Sequence, residues 1–171
     1  MSAIDRIRRQ QLVLQAEGYL ELGMPKHALD LLARCGERES LPEHALYLQG
    51  ECLRALGQFH EALEPLTLAS QTNPDNIHVW LALGWCHKRN GRVDLAIESL
   101  EEALGVEPNE ALIHYNLACY WALAGKPRQA VSYLARAFDL KEDYRALVAD
   151  ETDFDRIRDD PTFQALVRVT V

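Results

Sequence analysis

Glycine returns at Gly23, Gly57, Gly91 and Gly125, each a step of about 34 residues beyond the last. A fixed step without insertions means that one small structural unit is used over and over. Around Gly91 the chain reads WLALGWCHKRN before the glycine and VDLAIESLEEALGV after it, two stretches with apolar residues at helical spacing. Other positions keep the same step: Ala28, Ala62, Ala96 and Ala130; Leu32, Leu66, Leu100 and Leu134; Cys35, Ala69, Ala103 and Ala137. On the preceding helices Ala16, Gly50, Gly84 and Ala118 do so too. A pair of short helices cannot bury its apolar face alone, so the predicted architecture is a stack of pairs in which each covers its neighbour. The pairs fall near 9–42, 43–76, 77–110 and 111–144.

From Trp80 to Pro108 the spacing is Trp-x2-Leu-Gly-x2-His, then Gly91, then Ala96-x3-Leu100, then Ala103 and Pro108. This resembles the tetratricopeptide repeat (TPR) family, with His87 where Tyr is usual, and the resemblance extends over roughly four-fifths of the chain. It implies an all-α fold, a right-handed TPR α-solenoid of antiparallel helix pairs, with a concave groove lined by the first helix of each pair. Length and the absence of a Ser/Gly/Pro-rich spacer point to a single TPR domain over 1–171.

Within the first pair, a helix starting near Ser2 or Ile4 and running to Leu22 is expected to turn Ile4, Ile7, Leu12, Ala16 and Tyr19 inward. Gly23 and Pro25 end it and start the next, which carries Ala28, Leu29, Leu31 and Leu32 inward. Pro65 falls inside the second helix of its pair, where it removes one backbone bond that the helix is expected to absorb. After Leu140 the repeat pattern stops. The remaining 145–171 alternates apolar Leu147, Val148, Phe154, Ile157, Phe163, Leu166 and Val167 with acids, and Asp160-Pro161 reads as cap and first residue of a last helix. C-terminal capping helices that cover the last pair are the expected role, as in other solenoids.

Net charge and cysteine usage narrow the function. A formal charge of −8 argues against nonspecific binding to nucleic acid or to an anionic membrane surface. No run approaches the roughly 18 apolar residues of a membrane span. The four cysteines, Cys35, Cys52, Cys86 and Cys119, have neither CxxC spacing nor a secretory signal ahead of them, so reduced buried thiols in a cytoplasmic protein are expected.

The TPR resemblance places candidate ligand contacts on the first helices. In the first pair these are Gln10, Val13, Glu17 and Glu21, with His44 opening the second. The peptide-binding groove is then assigned to Tyr47, Glu51, Arg54, His78, Leu81, Trp85, Lys88, Arg89, Tyr115 and Asn116, with Cys119 beside them. Tyr47, Trp85 and Tyr115 offer rigid anchors, while Arg54, Lys88 and Arg89 suit an acidic side chain or a chain terminus. Tyr115 and Asn116 equally match framework residues of the family, and Trp80 and Trp121 fall on packing positions. A carboxylate-clamp TPR would need Lys and Asn where this chain has Val13 and Glu17, so that ligand class is not expected.

Chemistry has no foothold in the sequence. Cys86 and His87 diverge by about 100° on a helix. His44, His78 and His114 are not spaced to share one metal ion. DETDFDRIRDD lacks the glycine of a calcium loop, and no phosphate loop, Gly-x-Ser-x-Gly or Gly-x-Gly-x-x-Gly is present. The expectation is a bacterial, non-enzymatic protein–protein interaction module with no cofactor and no metal, binding a peptide or protein segment in its groove. A secretion-type chaperone for one client, or a scaffold that self-associates through its N-terminal helix or convex side, stands as the alternative.

Overall fold

The computed structural model describes residues 3–168, and its regular elements are all helical. They are α1 (Ala3–Glu21), α2 (Pro25–Ala33), α3 (Glu43–Ala55), α4 (Phe59–Thr72), α5 (Ile77–Arg89), α6 (Val93–Val106), α7 (Ala111–Leu123), α8 (Pro127–Leu140), α9 (Tyr144–Leu147) and α10 (Pro161–Arg168). Short 3-10 turns cover Arg38–Ser40 and Thr152–Ile157. The helices alternate as the repeats require, in an all-α solenoid of antiparallel pairs. Contacts cluster into two units, Met1–Asn90 and Gly91–Val171.

The four recurrent glycines close the first helix of every pair with φ between 69° and 76°, the left-handed region open to glycine. At Gly23, Gly57 and Gly125 the same two bonds follow. The glycine N–H donates to the carbonyl three residues back (Leu20, Arg54, Ala122), and the next N–H to the carbonyl five back (Tyr19, Leu53, Trp121). This Schellman closure satisfies two otherwise orphaned carbonyls and starts the return helix at once.

In the N-terminal unit, Leu12, Val13 and Ala16 of α1 meet Ala28 and Leu32 of α2, and the layer continues through Ala45, Leu46, Leu48 and Cys52, then Ala62, Leu66 and Ala69, then Val79, Ala82, Leu83 and Cys86. The inward face assigned to α1 from sequence needs correction. Ile4 and Ile7 are exposed at 77% and 56%, and Tyr19 lies at the margin, stacked on His27. Helix lengths explain it: α2, with nine residues against nineteen in α1, reaches only half as far back, so nothing lies over the first turns of α1. Of the two starts expected for this helix, Ser2 lies outside the described residues and Ile4 lies one residue inside its first described position.

Pro65 is buried within α4, and the helix runs on to Thr72. Asn76 joins two pairs. Its side-chain oxygen accepts from the His78 N–H at 3.0 Å as the N-cap of α5, and its amide donates to Glu43 Oε1 of α3 at 2.8 Å. Asn76→Ala removes both contacts and is expected to lower stability by about 1–2 kcal/mol. Asn76→Asp, which keeps the cap acceptor but not the donor, should recover part of that loss in a urea titration.

In the C-terminal unit, α7 is buried on nearly every side, with Ile113, Leu117, Ala118, Cys119 and Tyr120 all enclosed. α6 and α8 flank it, and the 3-10 turn of 152–157 packs on it as well. Val148, Phe154, Ile157 and Phe163 are buried, and Phe154 is fully so. Asp160 Oδ1 accepts from the Thr162 and Phe163 N–H groups and caps α10, with Pro161 as its first residue. Arg158 gathers the preceding loop by donating to the Val148, Ala149 and Glu151 carbonyls. Three carbonyls of 148–151 thus find a donor within the closing segment.

Candidate functional site

Tyr47, Glu51 and Arg54 sit at i, i+4 and i+7 of α3, and His78, Leu81, Trp85 and Lys88 keep one face of α5, with Arg89 beside it. The N-terminal unit brings five of these together. Glu51 accepts two bonds from Arg54, at 2.9 Å to Nε and 2.6 Å to Nη2. That fork fixes the guanidinium 5.1 Å from the Trp85 ring centre. Arg89 approaches the same ring at 5.3 Å and Phe59 at 4.7 Å. Phe59, the first residue of α4, meets Trp85 edge-on at 5.0 Å. The indole therefore carries two cations and is held by a second ring, which makes it a fixed platform rather than a loose anchor.

Charge balance is uneven across the platform. The hydrogen bonds that Arg54 donates to the Glu51 carboxylate raise its pKa, and the carboxylate offsets the positive charge of the guanidinium. Arg89 is exposed and forms no ion pair among the described residues. Tyr47 is half-buried beside Glu51, and desolvation, then that carboxylate, push its hydroxyl up to about 12, so it remains a neutral hydrogen-bonding group. Beneath the surface, burial raises Cys52 to about 12 and Cys86 to about 11, which leaves both as inert thiols. Cys35, Cys52, Cys86 and Cys119 are all buried thiols.

The other candidates are placed differently. His78 is exposed at the start of α5, and Leu81 and Lys88 are half-buried. Val13 is buried, while His44 is exposed with Nε2 3.4 Å from Glu17 of α1. Gln10, Val13, Leu14, Pro42 and His44 border an open, mostly apolar cleft of about 400 Å³ between α1 and α3. Tyr115 and Asn116 belong to the C-terminal unit. Tyr115 is 6% exposed, stacked on Tyr144 at 4.8 Å and set against the edge of Phe154, so its ring is used in holding the closing segment. Phe59 was missed in the sequence. Its signal was available, because the equivalent residues are Pro25, Val93 and Pro127 and an aromatic stands alone in that slot.

Among the described residues one trio of potential ligands stands together: Cys119, Glu151 and Asp153, with one donor atom each within 4.8 Å of the others. Glu151 already accepts from the Asp153 N–H at 3.0 Å. No helix among these residues is long and apolar enough to cross a membrane.

Comparison with known proteins agrees with the helix-pair geometry. The tetratricopeptide repeat family model matches residues 53–118. Anaphase-promoting complex subunit 3 of Dictyostelium discoideum is 29% identical over 83 residues, 48% of this chain, and the match spans only 9% of that subunit. Among solved structures, MamA superposes with a TM-score of 0.73 at 21% identity, covering 81% of each chain. YrrB, a TPR protein with an unusual peptide-binding site, gives 0.71 at 25% identity, covering 79% of this chain and 70% of its own. A thermophilic TPR protein of Thermus thermophilus, TTC0263, gives 0.66 at 21%, covering 86% and 85%. The fold is that of a tetratricopeptide repeat protein, with the family's own pattern matched over residues 53–118, and such a fold supports protein–protein interaction in general.

Proposed function

We propose that this protein is a non-enzymatic adaptor that captures an extended peptide segment bearing a carboxylate next to an apolar residue, across the α3–α5 face of its N-terminal unit. The observation that carries this reading is the Trp85 platform. Arg89 stands at its rim without a carboxylate partner among the described residues, so an incoming acid can take that place. Trp85 and Tyr47 offer flat, ordered surface to the neighbouring apolar side chain at little entropic cost. The Glu51 carboxylate, already committed to Arg54, disfavours a second acid at that end and so gives the segment a direction. His78, Leu81 and Lys88 extend the face along α5. The peptide-binding site of YrrB supports a groove of this kind in a TPR chain of similar fold.

Selection of displayed peptides on the full-length protein tests the reading. Recovered sequences should share an Asp, Glu or free C-terminus beside an apolar residue, and their affinity should fall at least about tenfold in Arg89→Glu, a loss of about 1.4 kcal/mol. Because Arg89 is exposed, that variant should keep its helicity. Peptides without an acid, or peptides that bind Arg89→Glu and Tyr47→Ala as well as the wild type, would refute the assignment.

A further inference from the structure

We infer that the outer face of α1 is a second interaction surface, and that its occupant is α1 of another copy of this chain, paired antiparallel. Ile4, Ile7, Gln11, Leu14 and Gly18 follow one another at spacings of three and four, a heptad seam, and Leu22 lies just beyond it. Leu14 and Leu22 are 66% and 75% exposed, in line with Ile4 and Ile7, while Leu12, Val13 and Ala16 occupy the opposite, buried side. The helix thus has two apolar faces, and among the described residues only one is covered.

The repeat itself says what kind of object fits there. One step on from Gln11, Leu14, Gln15 and Gly18 stand Ala45, Leu48, Gln49 and Cys52 of α3, and a further step gives Val79, Ala82, Leu83 and Cys86 of α5. All eight are buried. In both helices that side accompanies contact with the preceding second helix, α2 against α3 and α4 against α5. The exposed side of α1 is therefore a surface cut to receive a helix.

Charge and shape choose the occupant. α1 is net basic at its start, where Arg6 and Arg8 outnumber Asp5, and acidic at its end, with half-buried Glu17 beside His44 and exposed Glu21. Two copies side by side in the same direction would set Arg against Arg and Glu against Glu. Reversed, each basic end meets the other's acidic end. The reversed alignment also pairs Ile7 with Gly18 and Gln11 with Leu14, in the a-to-d' layers of an antiparallel coiled coil. Gly18 gains a reason in this arrangement. A glycine inside a helix costs about 1 kcal/mol relative to Ala, and an added Cβ there would touch nothing in the chain. Its missing side chain leaves room for the partner's Ile7. Gln11, polar at the centre of the seam, disfavours slipped registers.

Sedimentation of the full-length protein over a wide dilution series should reveal a reversible dimer, and Ile7→Glu with Leu14→Glu should sediment as a monomer of unchanged helicity. Oxidation of Ile7→Cys/Gly18→Cys should give a covalent dimer, whereas neither single variant does so; the native thiols are buried and do not compete. A wild type that stays monomeric throughout, a dimer that survives both glutamates, or a disulfide between two chains of the Ile7→Cys single variant would each overturn the proposal.

Discussion

Phe154→Ala is expected to destabilise the C-terminal unit by about 3–5 kcal/mol, the usual range for truncating a buried aromatic. The ring is fully buried, edge-on to Tyr115 at 6.0 Å and 5.4 Å from Phe163, so it joins α7 to α10 through the closing segment. Removing it leaves a cavity where those two rings converge. Limited proteolysis should then cut within 141–160, where the wild type resists, and the thermal midpoint should fall by roughly 10 °C. Leu147→Ala, at a side chain 52% exposed, is the control and should cost no more than about 0.5 kcal/mol. Equal protease resistance in Phe154→Ala and wild type would mean that the segment is not held by this ring.

The contact between Gly50 and Leu66 gives the second large effect. A Cβ at Gly50 would lie 2.4 Å from Leu66 Cγ and 2.5 Å from its Cδ2, closer than packed carbon atoms come. Gly50→Ala is therefore expected to lose about 1–3 kcal/mol by overpacking, despite a gain in helix propensity of about 1 kcal/mol. Leu66→Ala alone opens a cavity and should cost about 2–5 kcal/mol. In the double variant the new methyl has room and fills part of that cavity, so the combined loss should fall short of the sum by at least about 1 kcal/mol in a denaturant cycle. Strict additivity would show that α3 and α4 relax apart independently of this pair.

Small residues at a repeated offset were the most legible part of the chain. Gly50 and Leu66 fall in slots that recur every repeat, and a slot shared by Ala16, Gly50, Gly84 and Ala118 can only mean close helix approach. Turn glycines, cap residues Asp160 and Pro161, and buried thiols were readable for the same reason, since each depends on chemistry within a few positions or on an exact period. The exposed side of α1 was not. Periodicity says that a face is apolar but not whether a neighbour covers it, and here the length of α2 decided that. Tyr115 and Phe59 mark the corresponding limit for the site. One is covered by a segment some forty residues away, the other is delivered to Trp85 by a helix start, and both are matters of tertiary packing that motif position leaves open. The trio of Cys119, Glu151 and Asp153 escaped notice because its members share no sequence spacing.

Of the eight large apolar residues exposed among the described part of the chain, six lie between Ile4 and Met24. The closing segment, by contrast, buries its rings and turns Asp150, Asp155 and Asp159 to solvent. Exposed large apolar side chains among the described residues are thus concentrated on α1 and the turn after it. A surface that matches only its own twin across a twofold axis is consumed when two chains meet, and such pairing closes on itself. Growth into a fibre needs two unlike adhesive surfaces on every subunit, which a self-matching face does not provide.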